Sequence, residues 1–207
     1  MEVLESVTVT ALDQLGNLYA RPSERVLRKE IDHVDAAGRA FIAASPFLVL
    51  ATGSSQGLDC SPKGDKPGFV QVEDDGRTLL IPDQRRNNRL DSIKNLVEDP
   101  RVSLIFFVPG ANETYRVNGR ARVSVDPDLK QRFAVDGKEP TTVMVIAVEQ
   151  AFQHCPKALV RSNLKAGAGE RPKDVPTLGD FAAARTPGID SADYDADYAR
   201  RMPNELY

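Results

Sequence analysis

"RVSLIFFVPGANETYRVNGRARVSV", Arg101 to Val125, reads as two short strands with a turn between them. Its first half is a run of β-branched and aromatic residues that ends at Pro109 and Gly110. Its second half alternates, sending Arg116, Asn118, Arg120 and Arg122 to one side and Val117, Ala121 and Val123 to the other. The few residues between the halves leave no room for a crossover helix, so the pair is antiparallel. The same texture recurs in "FLVLATG" from Phe47, "FVQVEDDGRTLLIPD" from Phe69 and "TTVMVIAVEQAF" from Thr141, with "SSQG" and "DDG" as turn signals. The middle of the chain is therefore expected as an antiparallel meander or barrel, not a doubly wound parallel sheet.

Helices flank that core. In "RPSERVLRKEIDHVDAAGRAFIAASP", Leu27, Ile31, Val34 and Phe41 fall at near-helical spacing. The pattern predicts one helix that starts at Pro22 and Ser23, stops at Pro46 and is weakened by Gly38. A short helix is predicted over Arg89 to Val97. From Lys165 the composition turns to "KAGAGERPKDVPTLGD", a linker, after which "TLGDFAAAR" and "SADYDADYARRM" read as helices with modest apolar faces. The 207 residues suit one domain. It divides into an N-terminal helical segment (1–45), a barrel core (46–163) and a linker with C-terminal helices (164–207).

Charge and cysteine content narrow the function. With 27 Lys and Arg against 30 Asp and Glu, the net charge is -3, so no global field draws the chain to nucleic acid or anionic lipid and any anion site must be local. Cys60 and Cys155 are too few for a disulfide framework, and no apolar leader opens the sequence, which predicts a reduced, cytoplasmic protein. The apolar runs fall short of the ~20 residues of a membrane helix. Two histidines and two cysteines without ligand spacing predict no metal site, and Cys155 is expected as a packed thiol.

Local donor capacity is concentrated in "IPDQRRNNRLDSIKNL", Ile81 to Leu96. Pro82 ends a strand, and Asn87 or Asn88 is placed to cap a helix carrying Leu90, Ile93 and Val97. A helix start with Arg85, Arg86 and Arg89 beside it suits a phosphate. "CSPKGDKPGF" adds Ser61, Lys63, Gly64 and Gly68, where glycine permits close backbone approach to a flat ligand and lysine supplies a point charge. His154, Lys157 and Arg161 would share a face if a helix began near Pro156.

Taken in order, "FIAASPFLVLAT", "SPKGD-x-PGFV", "LLIPD-x-x-x-NNRLDS", "DPRVSLIF-x-VPG", "ET-x-RVNGRA" and "HCPKAL-x-RS" resemble the pyridoxamine 5'-phosphate oxidase-like, FMN-binding split-barrel family, from about Phe41 to Arg161. The resemblance implies a mainly β fold with flanking helices, a six-stranded antiparallel split β-barrel, and a homodimer with FMN at the subunit interface. It further implies that Ser61, Lys63, Gly64, Asn87, Asn88 and Arg89 hold the FMN phosphate. The backbone of Ile81, Pro82 and Asp83 would face the flavin ring, and Thr114 would be a polar contact. Lys157 and Arg161 would reach the flavin from the second subunit, with His154 as the candidate catalytic residue. True pyridoxamine phosphate oxidases end in a segment with a tryptophan and an arginine, and this chain has no Trp. The expected activity is therefore an FMN-dependent oxidoreductase acting on a small-molecule electron donor and acceptor, not a vitamin B6 oxidase. A flavin-binding or sensing module without turnover, and a barrel that carries heme or a deazaflavin, are the alternatives.

Overall fold

The computed structural model describes residues 8–84, 89–164 and 175–204. Seven strands form one antiparallel sheet: β1 (Phe47–Ser54), β2 (Gly57–Gly64), β3 (Gln71–Val72), β4 (Thr78–Asp83), β5 (Arg101–Phe107), β6 (Thr114–Ser124) and β7 (Thr142–His154). Their spatial order is β2-β1-β5-β6-β7-β4-β3. The predicted mainly β, antiparallel class holds, with seven strands in place of six. The addition is β3, a two-residue partner that sets Gln71 against Leu80 and Val72 against Leu79 before a turn through Gly76 ends it. Pro62 lies within β2, which a proline tolerates because β2 is an edge strand with one side free of ladder hydrogen bonds.

Alternation divides the residues as the sequence implied. Leu48, Leu50, Leu104, Phe106, Val117, Ala121, Met144 and Ile146 lie in one buried cluster. Val143 and Val145, on the opposite face of β7, join Leu80 and Phe133 in a second. That smaller cluster packs against α5 (Pro127–Arg132) through Leu129, after earlier helices α1 (Leu15–Leu18), α2 (Glu24–Leu27), α3 (Ala36–Ala44) and α4 (Asp91–Glu98).

The single helix expected from Pro22 to Pro46 is two, α2 and α3. Between them Ile31 bridges Ala151 of β7 in extended pairing, its N–H donating to the Ala151 carbonyl at 3.1 Å. Asp35 then opens a new helix by accepting from the Gly38 N–H at 2.7 Å. A free sheet edge and a competing N-cap outweighed the helical spacing. Past β7 come α6 (Lys157–Ser162), α7 (Leu178–Arg185) and α8 (Ser191–Arg201), the last two matching the predicted tail helices and packing on one another. Among the described residues, no helix is long and apolar enough to cross a membrane. Cys60 and Cys155 are both exposed, so Cys155 is not the packed thiol expected.

Candidate functional site

Residues 59, 61 and 63 share a face of β2, and that face is turned toward α4 and the end of β4. Ser61 Oγ donates to Asp59 Oδ2 at 2.8 Å, and Ser92 Oγ, from the first turn of α4, donates to the same oxygen at 3.1 Å. Lys63 Nζ donates to Asp83 Oδ1 at 2.9 Å, and each side chain is only 14% exposed. β2 and β4 are not neighbours in the sheet, so this ion pair ties together two strands that the ladder leaves apart. Arg89 Nε meets Asp91 Oδ2 at 2.5 Å and also feels the charge of Asp59.

Helix α4 starts later than predicted. Its N-cap is Leu90, which makes no side-chain capping bond, and the peptide N–H groups of the first turn have no side-chain acceptor among the described residues. Asn87 and Asn88, expected as caps and phosphate contacts, lie outside the described residues, as do Arg85 and Arg86. β3 pairs only with Leu79 and Leu80, so beyond them that edge of β4, along Ile81, Pro82 and Asp83, has no strand partner among the described residues. The Ile81 side chain is fully buried.

A second group lies further across the sheet. Gly64, Phe47, Phe107, Thr114 and His154 form one register row over β2, β1, β5, β6 and β7. Four strand spacings separate its ends, ~19 Å along the sheet. Lys63, next to Gly64, is tied to Asp83, and Asp83 pairs with Thr142, at the opposite end of β7 from His154. Thr114 is buried and the His154 ring packs on Phe152 at 5.0 Å. Lys29 and Arg116 both stand over the Phe152 ring, at 5.2 and 5.6 Å from its centre. On the same face Ser103 donates to Asn118 at 2.7 Å, Asn118 to Gln150 at 2.6 Å and Gln150 to Glu30 at 2.7 Å.

The face expected to join His154, Lys157 and Arg161 does not form. His154 ends β7, whereas Lys157 and Arg161 are exposed on α6, which starts three residues later. An extended residue before Pro156 cannot share the helical period of those after it.

The chain thus gathers Ser61, Lys63, Asp83 and Arg89 in one place, and Thr114 with His154 in another. Sequence reasoning missed Asp59 and Ser92. The spacing of Asp59, Ser61 and Lys63 at every second residue of a strand was the signal that could have found the first.

Burial, then the charges of Arg116 and Lys29, hold the His154 imidazole below its ordinary 6.5, and its buried Nε2 has no hydrogen-bond partner among the described residues. The folded chain therefore takes up this proton less readily than the unfolded chain. The contribution to stability is full above 6.5 and is lost as pH falls through the folded value. His154→Gln should flatten the acid limb of the stability curve, read from urea melts on either side of that pH. An unchanged slope would place the titration elsewhere.

The family model for pyridoxamine 5'-phosphate oxidase matches residues 34–155, more than half of the chain. This chain belongs to the pyridoxamine 5'-phosphate oxidase family. The matched region runs from the residue before the Asp35 cap through all seven strands of the sheet. Solved structures similar to this family member include HupZ of Group A Streptococcus, at 17% identity and a TM-score of 0.47, covering 67% of this chain and 99% of that one. A Clostridium acetobutylicum protein related to general stress protein 26 of B. subtilis has 11% identity and a TM-score of 0.42, covering 57% and 85%. An F420 reductase has 16% identity and a TM-score of 0.39, covering 56% and 94%. No curated protein matches the chain.

Proposed function

We propose that this family member is an FMN-dependent oxidoreductase that works as a homodimer on small-molecule electron donors and acceptors. The observation that carries the reading is the gathering of Ser61 and Arg89, through Asp59 and Asp91, at the start of α4, with Lys63 two residues along the same face of β2 and held at the end of β4. Two cations, a hydroxyl and unpaired peptide N–H groups are the donor set a phosphate dianion takes. Asp59, Asp83 and Asp91 hold these donors in position, and the phosphate exchanges with them as acceptor. The partner-free edge of β4 at Ile81 to Asp83 lies next to that cradle and orients the ring by its backbone.

When bound, FMN supplies two-electron transfer between donor and acceptor. The residues of the chain bind and orient it. His154, Lys157 and Arg161 are assigned to the second protomer, a reading supported by His154 ending β7 at the end opposite Thr142, the partner of the cradle's Asp83. There the unpartnered Nε2 of His154 is available to hold or pass a proton near neutral pH.

The test compares FMN with riboflavin, which has the ring but no phosphate. Arg89→Ala should weaken FMN by about one to two decades, the worth of a charge-assisted bond, and leave riboflavin nearly unchanged. Equal weakening of both ligands would remove Arg89 from the phosphate. The visible spectrum of the purified protein should carry flavin bands, and a Soret band in their place would overturn FMN in favour of heme.

A further inference from the structure

Fourteen of the nineteen large apolar side chains that stand exposed among the described residues lie outside the barrel, in residues 9–27 and 160–202. The first stretch is an arm. Leu12, Leu15 and Leu18 recur at every third residue through a tight helical turn and α1, so successive leucines are neighbours on its surface, and they are 86%, 38% and 62% exposed. Seven helical residues are too few to hold together by propensity alone, so the arm takes its stability from whatever packs on those leucines.

The second stretch holds the hairpin of α7 and α8, which spends polar groups on its own shape. The Gly179 N–H donates to Asp195 Oδ1 at 2.7 Å, and Ser191 Oγ donates to Asp180 Oδ1 at 2.6 Å. A Cβ at 179 would lie 2.1 Å from the Ser191 carbonyl oxygen, so the glycine sets how closely the two helices approach. Apolar groups are left outside. Leu178, Phe181, Tyr198 and Met202 remain between 39% and 47% exposed. Two helices cover one face of each other, and a third element has to cover what remains.

The same chain does not supply that element. Among the described elements the arm packs on itself and the hairpin on itself, and neither makes more than a glancing contact with a strand or with the other. Charge then selects the cover. Arg21 to Lys29 carry four cations against one carboxylate, whereas Asp190 to Tyr198 carry four carboxylates and no cation. Opposite fields draw arm to hairpin and keep arm from arm and hairpin from hairpin.

We propose that the α7–α8 hairpin of one protomer docks on the N-terminal arm of a second copy of this chain, so that a two-fold dimer carries the contact twice. This rests on the homodimer in the function proposed above and adds to it the pieces that clasp the copies.

The test uses the full chain with Tyr198→p-benzoylphenylalanine, a photo-cross-linker at an exposed aromatic position. Irradiation should give a covalent product of twice the chain mass on a denaturing gel, and peptide mapping should place the new bond within residues 9–27. Phe181→Asp and Leu18→Asp should each raise the dimer dissociation constant about tenfold in sedimentation runs, the worth of a half-buried apolar side chain. Both side chains are exposed in the single chain, so neither change should lower the melting temperature of the dissociated protein. A dimer by light scattering whose cross-links stay within one chain, fall outside residues 9–27 or do not form overturns the clasp and leaves the homodimer standing. A dimer that both aspartate variants hold as tightly as the wild type does the same. A monomer at micromolar concentration overturns both.

Discussion

Lys63→Ala should lower the stability of the fold by about 3 kcal/mol and weaken FMN by one to two decades. The stability loss comes from what remains. Asp83 stays 86% covered with no counter-ion among the described residues, and breaking a buried pair from one side leaves a charge poorly compensated. The pair also joins β2 to β4, so its loss leaves the outermost strand on one side of the sheet held by its ladder with β1 but without this tie to β4. Stability and binding can be pulled apart. The double replacement Lys63→Met with Asp83→Leu removes both charges and should recover most of the stability, since well-packed apolar side chains replace such pairs at little cost. It should not recover FMN affinity. If it does, Lys63 holds the sheet and not the phosphate. The measurements are urea melts and FMN titrations on the three proteins.

Gly119→Ala should be more damaging to folding than any surface change, by about 3 kcal/mol or more, or roughly 10 °C in melting temperature for a chain of this size. A Cβ at 119 would stand 2.1 Å from the carbonyl oxygen of Ala147 and 3.3 Å from the Cα of Val148, both backbone atoms that cannot swing aside. The register between β6 and β7 shifts between Asn118 and Gly119, bringing the two backbones close where β7 accommodates an extra residue. Gly53→Ala is the control, because its Cβ would be crowded only by the flexible end of the Leu58 side chain at 3.2 Å, with the Gly57 carbonyl oxygen at an ordinary contact distance of 3.7 Å. Comparable melting temperatures for the two variants would show that the sheet can slide at the bulge.

Much of this was legible because period-2 alternation is a local property. Arg116 and Val117 announce opposite faces of β6 wherever the strand sits. The turn into α4 was legible for the same reason, as a strand end, basic residues and an amphipathic start in sequence order. What could not be read depends on partners distant in the chain. Ile31 looks helical by spacing and is extended because Ala151 offers it a sheet edge. Lys63 finds Asp83, and Ser61 shares Asp59 with Ser92, only once the strands have folded over one another. The cavity lined by Lys29, Phe41, Glu113 and Phe152 has no sequence signature at all, since its walls come from three separate stretches. His154 was read as one turn before a helix, although the pairing of Thr114 with His154 carries β7 right up to it.

The strand order has a consequence for how the chain folds. β5, β6 and β7 follow one another and can zip up as neighbours, β5 to β6 through a short turn and β6 to β7 through a connection that holds α5. β4 cannot. Its local partner β3 reaches only Leu79 and Leu80, and its long ladder partner β7 is made much later, so on the ribosome the other edge of β4, through the fully buried Ile81, waits with no strand to cover it. A chain cut before residue 142 keeps that sticky edge permanently. Such fragments should aggregate where the complete chain does not, and folding of the full protein should be limited by the arrival and docking of β7.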